Sequence, residues 1–224
     1  MKNLFRRALL FSVIEAGSAS ALNLPLIEWF GGYSGAYTDR TGTAPVDSPG
    51  SIPNHQLFNG AVFSFDLSLN RHVRLVLGEI SWQRHDSGLD FSSSPTFQRL
   101  PFQVSSSHLN SYQLLFGAEL TRRSRKYNLF AQGAAGIAAR HLVTPGHEVI
   151  LSDDGAAFAG GGGLEVDLAR HWAYRIGQID YLLTHMGRQE LLIANPLLTA
   201  LPEWQHSFRF QTGIIFRFGA GRSR

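Results

Sequence analysis

Eight segments of roughly a dozen residues, at 27–38, 58–69, 73–84, 109–120, 127–140, 155–168, 172–184 and 205–218, alternate apolar and polar side chains. That two-residue period belongs to a β-strand with one face in an apolar medium. None of the segments sustains the i, i+3, i+4, i+7 spacing of an amphipathic helix. The connections constrain the topology further. They are short at 70–72, 121–126 and 169–171, and long at 39–57, 85–108, 141–154 and 185–204, so long and short strictly alternate. An antiparallel up-and-down meander with that rhythm gathers every long loop at one end and every short turn, with both termini, at the other. Loops of such length are unusual in compact soluble domains but ordinary on the outer side of a transmembrane β-barrel, whose periplasmic turns are short. Eight strands close the smallest barrel of that kind.

Which face is apolar decides between water and lipid. In the last segment Phe208, Phe210, Thr212, Ile214, Phe216 and Phe218 share one face, opposite Arg209, Gln211, Gly213, Ile215 and Arg217. In the fourth, Tyr112, Leu114, Phe116, Ala118 and Leu120 oppose Gln113, Leu115, Gly117 and Glu119. The second sets Phe63, Phe65 and Leu67 against Ser64, Asp66 and Ser68; the third sets Val76, Ile80 and Trp82 against Glu79, Ser81 and Gln83; the sixth sets Leu164 and Val166 against Glu165 and Asp167. The seventh fits with a phase slip: Trp172, Tyr174 and Ile176 face out, then Ile179, Tyr181 and Leu183, which places a β-bulge near Gly177. An eight-stranded barrel is only just wide enough to be filled by side chains or to hold one small ligand. Its lumen suits the face carrying Gly, Ser, Gln and charges better than the face crowded with aromatics. The apolar face is therefore expected to point outward, into lipid.

Composition agrees. The chain is 44% hydrophobic and 17% charged, too apolar for disorder. It has no Cys, which excludes disulfides, thiol catalysis and iron–sulfur clusters. At the amino terminus Lys2, Arg6 and Arg7 precede the apolar run from Ala8 to Ile14, and Ala19-Ser20-Ala21 forms an A-x-A cleavage site. Residues 1–21 are thus expected to be a cleaved export signal and residues 22–224 a single barrel domain. Removing the signal leaves about 17 basic and 16 acidic residues, a near-neutral balance that gives no electrostatic footprint for nucleic acid. No run of 18 apolar residues offers a transmembrane helix.

The last strand carries a resemblance. Gln211-Thr212-Gly213-Ile214-Ile215-Phe216-Arg217-Phe218 resembles the β-signal of bacterial outer-membrane proteins, polar-x-Gly-x-x-aromatic-x-aromatic, although six residues follow the final aromatic here. With Phe30-Gly31-Gly32-Tyr33 in the first strand and Gln178-x-Asp180-Tyr181 in the seventh, the chain resembles the eight-stranded barrels of the outer-membrane protein A and X type. The resemblance implies a bacterial outer-membrane location, outer-membrane lipid as surroundings, and recognition by the barrel-assembly machinery through Gln211, Gly213, Phe216 and Phe218. It implies no activity.

Candidate chemistry is sparse. Lipid A deacylases of this shape carry a His-x-Ser pair with a nearby acid. This chain offers His206-Ser207, whose adjacent side chains point to opposite faces of a strand, and His108-Leu109-Asn110-Ser111. No enzyme is expected. Seven histidines, His55, His85, His108, His141, His147, His185 and His206, fall in or beside the long loops without metal-ligand spacing, and no metal or cofactor is implied. Gly160-Gly161-Gly162-Gly163 does not match GxGxxG and is expected to admit aromatic packing or wall curvature. Asp66-Leu67-Ser68-Leu69-Asn70-Arg71-His72 resembles Glu165-Val166-Asp167-Leu168-Ala169-Arg170-His171, and both end at short turns. The strongest candidate site is the set of inward charges. Asp66, Glu79, Glu119, Glu165, Asp167 and Asp180 can meet Arg175, Arg209 and Arg217 as an ionic plug, because buried charge persists only when paired. The expected role is structural or surface-interacting, with a narrow porin-like channel as the alternative. The apolar segment 191–202 is expected to cap the barrel mouth or to dock on the outer leaflet or a protein.

Overall fold

The computed structural model describes residues 26–40, 55–87, 107–124, 126–143, 149–186, 190–191 and 203–219 of the 224-residue chain. The expected export signal at 1–21 and residues 192–202 of the apolar loop lie outside that set. Nine strands are present: β1 (Leu26–Arg40), β2 (His55–Ser68), β3 (Val73–Ser87), β4 (Ser107–Arg123), β5 (Tyr127–Val143), β6 (Val149–Asp167), β7 (Trp172–Met186), β8 (Glu190–Leu191) and β9 (Glu203–Phe218). All ladders are antiparallel. Each long strand pairs with its neighbours in sequence, and β1 pairs with β9, so eight strands close into a barrel. The two residues of β8 pair with Leu151 and Ser152 on β6, above the point where β7 ends at Met186 opposite Gly155.

Register fixes the barrel's dimensions. Paired residues lead once around the wall from Glu28 through Asp66, Val76, Gly117, Ala134, Ala159, Leu182 and Ser207 to Thr38, ten residues further along β1. With ordinary strand spacings, eight strands and that stagger give a tilt of about 40° and a backbone radius of about 8 Å. A 15-residue strand such as β1 then rises about 38 Å along the axis, more than the roughly 25 Å apolar band of a membrane barrel.

The two faces separate by polarity. Outward rows carry Trp29, Tyr33 and Tyr37 of β1, Phe63 of β2, Trp82 of β3, Phe116 of β4, Tyr127 of β5 and Phe208 and Phe210 of β9, all exposed to the surroundings. Inward rows carry the buried Glu28, Ser34, Thr38, Gln56, Asp66, Glu79, Gln83, Gln113, Glu119, Gln132, Glu165, Gln178, Asp180 and Arg209. The inversion of inside and outside relative to a soluble globule is what lipid as solvent requires. Apolar side chains that face inward, among them Phe30, Val62, Ala173 and Ile215, fill space between the polar groups.

Three features differ from the sequence expectation, and a fourth, the bulge beside Gly177, matches it. Val76 faces the lumen and is 3% exposed, because the β3–β4 register shifts between Val76 and Glu79 and reverses the alternation below that point. The expected bulge beside Gly177 is present as a shift between Arg175 and Gln178. The connection expected at 141–154 is short: β5 continues to Val143 and β6 begins at Val149, leaving five residues between them. The turn expected at 121–126 contracts as well, since β4 runs on to Arg123.

Candidate functional site

The lumen holds two charged clusters, each centred on arginines without solvent exposure. In the cluster towards the short turns, Arg74 of β3 reaches three carboxylates from three other strands. Its Nη1 and Nη2 donate to Glu165 Oε1 and Oε2 at 3.0 and 3.1 Å, a bidentate pair. Its Nη1 lies 2.8 Å from Glu119 Oε2, and its Nη2 lies 3.4 Å from Glu28 Oε2. Arg175 of β7 approaches the same acids, with Nη2 at 2.9 Å from Glu165 Oε1 and 3.5 Å from Glu119 Oε1. Arg217 of β9 bridges Glu28 at 3.3 Å and Glu165 at 3.5 Å and also donates to Asp167. Arg123 of β4 donates to Glu28 Oε1 at 3.2 Å.

Aromatic packing holds Arg175 in place. Its guanidinium carbon sits 4.3 Å from the Phe30 ring centre and 4.6 Å from that of Phe130, a geometry in which ring faces attract the cation. Phe130 occupies room that Gly163 leaves open, because a Cβ there would come 2.7 Å from the ring. The glycine run thus admits the aromatic that flanks a lumen arginine.

The second cluster surrounds Arg209 of β9. Its Nη1 lies 2.6 Å from Glu79 Oε1 on β3, and its Nη2 lies 2.8 Å from Asp180 Oδ2 on β7. The same Nη1 donates to Gln113 Oε1 at 3.1 Å. Gln113 belongs to β4, four strands from β9 in a ring of eight, so this one side chain spans the lumen. Gln178 donates to Gln132 at 2.8 Å and to Asp180 at 2.9 Å, and Ser81 donates to Gln113 at 3.0 Å. Nearer the loop end, Gln83 donates to Ser34 at 2.6 Å, and Thr38 and Ser207 share a hydrogen bond of 2.9 Å.

Of the residues singled out from sequence, Glu119, Glu165, Asp167, Arg175 and Arg217 meet in the first cluster, and Glu79, Asp180 and Arg209 in the second. Asp66 stands apart. It is 1% exposed, accepts a hydrogen bond from Ser64 at 3.0 Å, and forms no ion pair among the described residues. Sequence reasoning missed Glu28, Arg74 and Arg123, and the glutamines 113, 132 and 178 that join the charges. Glu28 was signalled by its place between the outward Ile27 and Trp29. The signal for Arg74 was hidden by the β3 bulge.

The remaining candidates are placed as follows. Gln211 lies against Glu79 and Arg209 in the lumen, and Gly213 faces Gly32 across the closing β1–β9 ladder. Phe216 and Phe218 stack edge-to-face at 4.3 Å, with Trp172 and Trp29 beside them. His206 bonds to Tyr181, while Ser207 is buried against Thr38 on the other face, so the two do not form a nucleophile–base pair. His85 bonds to Leu57 O at 2.8 Å and His108 to Asp86 at 2.8 Å; the rings of His141 and His185 lie 5.5 Å from Tyr112 and 4.5 Å from Trp204. The side chains of His55 and His147 lie outside the described residues.

Solved structures match this architecture. Neisserial surface protein A superposes with a TM-score of 0.55 at 8% identity, over 86% of this chain and 97% of that one. The chain has the fold of the eight-stranded outer-membrane β-barrels. Ail, the attachment invasion locus protein of Yersinia pestis, aligns over 87% of this chain and 99% of that one at 12% identity, with a TM-score of 0.49. OprG of Pseudomonas aeruginosa aligns over 88% and 98% at 10% identity, with a TM-score of 0.47. No family model and no curated protein matches the sequence.

Proposed function

We propose that the protein is a structural, non-enzymatic barrel of the bacterial outer membrane, closed to solutes by its lumen charges and carrying its long loops at the cell surface as an interaction platform. The observation that carries the reading is Arg209, which touches Glu79, Asp180 and, from the opposite wall, Gln113. In a barrel of about 8 Å backbone radius, such a crossing side chain, with Arg74, Arg175 and Arg217 on the turn side, supports a lumen closed to a continuous water file. Conduction would require these pairs to rearrange.

The reading extends to biogenesis and surroundings. Residues 1–21 serve as the export signal, and outer-membrane lipid wets the aromatic belt. The barrel-assembly machinery reads Gln211, Gly213, Phe216 and Phe218 on the last strand. The deciding experiment is single-channel recording in planar bilayers. Purified, folded protein is expected to give no steady conductance above that of the bare bilayer. Well-resolved, long-lived openings from the wild type would replace this reading with the narrow channel.

A further inference from the structure

We propose that the turn end of the barrel is a binding rim for the phosphate headgroups of anionic phospholipids, built from three Leu-x-Arg segments, two in turns and one at the end of β4. The inference rests on the membrane-spanning reading above and adds a lipid preference to it.

Three segments share a pattern: Leu69-Asn70-Arg71 and Leu168-Ala169-Arg170 in turns, and Leu120-Thr121-Arg122 at the end of β4. Each leucine faces outward and stands 54%, 66% and 66% exposed respectively, at the lower edge of the lipid-facing belt. Each arginine is exposed and follows two residues later. Lys126, also exposed, adds a fourth fixed charge at this end.

The cations are held on a stitched backbone rather than on mobile hairpins. Thr121 N donates to His72 O at 2.7 Å, and its Oγ1 donates to Arg71 O at 2.9 Å, joining the first turn to the second. Asp167 N donates to Lys126 O at 3.1 Å, joining the second to the third. Arg217 N donates to His171 O at 2.9 Å, joining the third to β9. The repeated Arg-His pair divides the labour. His72 Nδ1 lies 3.4 Å from Thr121 O and His171 Nδ1 lies 3.0 Å from Arg217 O, so each histidine rests on the neighbouring strand, and Arg71 Nε in turn donates to His72 Nε2 at 2.9 Å.

Charge segregation points to an anionic occupant. Among the described residues every acid at the turn end faces inward, and the most exposed of them, Asp167, is 30% exposed and engaged by Arg217. Arg122, Lys126 and Arg170 have no ion-pair partner among the described residues. The exposed acids, Asp86 and Asp154, belong to the loop end. Cell-wall polymers are also anionic, but the leucine directly beneath each arginine continues the lipid-facing belt, which favours a phosphate anchored in that same leaflet.

The test uses the full folded protein in phosphatidylcholine nanodiscs containing a minority of phosphatidylglycerol, with spin-labelled phosphatidylglycerol and phosphatidylcholine as probes of the lipid touching the barrel. Wild-type protein should prefer phosphatidylglycerol. Each of Arg71→Gln, Arg122→Gln and Arg170→Gln should lower that preference about fivefold at low salt, while Arg84→Gln at the loop end should not. Should any of these variants fail to fold, raising ionic strength on the wild type must itself abolish the preference, since exposed charges are screened beyond a Debye length. Equal affinity for both lipids, or equal loss in Arg84→Gln, would overturn the proposal, as would binding to purified cell-wall sacculi without lipid selectivity. A chain that never enters nanodiscs as a compact, heat-modifiable species would instead defeat the barrel reading beneath it.

Discussion

Arg74 and Asp66 make opposite predictions from adjacent strands. Removing Arg74 leaves Glu28, Glu119 and Glu165 crowded in the lumen without their shared cation. Breaking a buried pair in this way typically costs about 3–5 kcal/mol, so Arg74→Ala should lose about that much in reversible urea unfolding from detergent or lipid. Among the described residues Asp66 has no arginine within ion-pair distance, and its Oδ1 finds no hydrogen-bond partner. Asp66→Asn should therefore change stability by less than about 1 kcal/mol, and a loss as large as that of Arg74→Ala would show that Asp66 belongs to the network after all. At this scale the site was half legible. The alternation of Phe208 to Phe218 placed Arg209 and Arg217 inward without ambiguity. Arg74 escaped because one extra residue at Leu77 and Gly78 turns the lower part of β3 over, and a strict alternation carried back from Trp82 sends Arg74 into lipid. Gly78 beside Glu79 was the available hint, of the same kind as Gly177 beside Gln178.

The strands themselves were read more securely than their connections. Most strands run past the expected ends, because the barrel wall continues beyond the apolar belt, where polar residues make the alternation faint. The connection after β5 illustrates the failure. Leu142 and Val143 before it and Val149 to Leu151 after it are strand-forming residues, and Pro145-Gly146 marks a turn between them. A hairpin was therefore written in residues counted as loop. Closure of the ring depends on the β1–β9 ladder, where Gly32 and Gly213 stand opposite each other. A Cβ on Gly213 would come 2.3 Å from Gly31 O, whereas one on the outward Gly133 would meet nothing within 4 Å. Gly213→Ala should lower folded yield and midpoint of unfolding while Gly133→Ala leaves both unchanged; equal behaviour would remove the close approach as a constraint. The final strand also tests the assembly reading. Phe216→Ser with Phe218→Ser should reduce outer-membrane yield more than Phe63→Ser with Phe65→Ser, since both pairs lie on the outward face but only the first lies in the proposed β-signal. Equal losses in cell fractions would leave lipid contact as their sole role.

At the scale of the molecule, two solvents shape one sheet. Lipid selects the outward row from Trp29 to Phe218, and the enclosed lumen accepts charge because arginines and carboxylates from opposite walls neutralise each other. The fold was legible as a whole because both demands are written in a two-residue period, repeated eight times. The function was not, because eight-stranded walls of this kind place few constraints on what their loops recognise. The most direct measurement is gel mobility of the protein extracted from the outer-membrane fraction, with and without boiling. A lipid-embedded closed barrel remains compact in cold detergent, so the unboiled band should run ahead of the boiled one. Recovery in the soluble periplasmic fraction, with the same mobility before and after boiling, would contradict the membrane barrel itself.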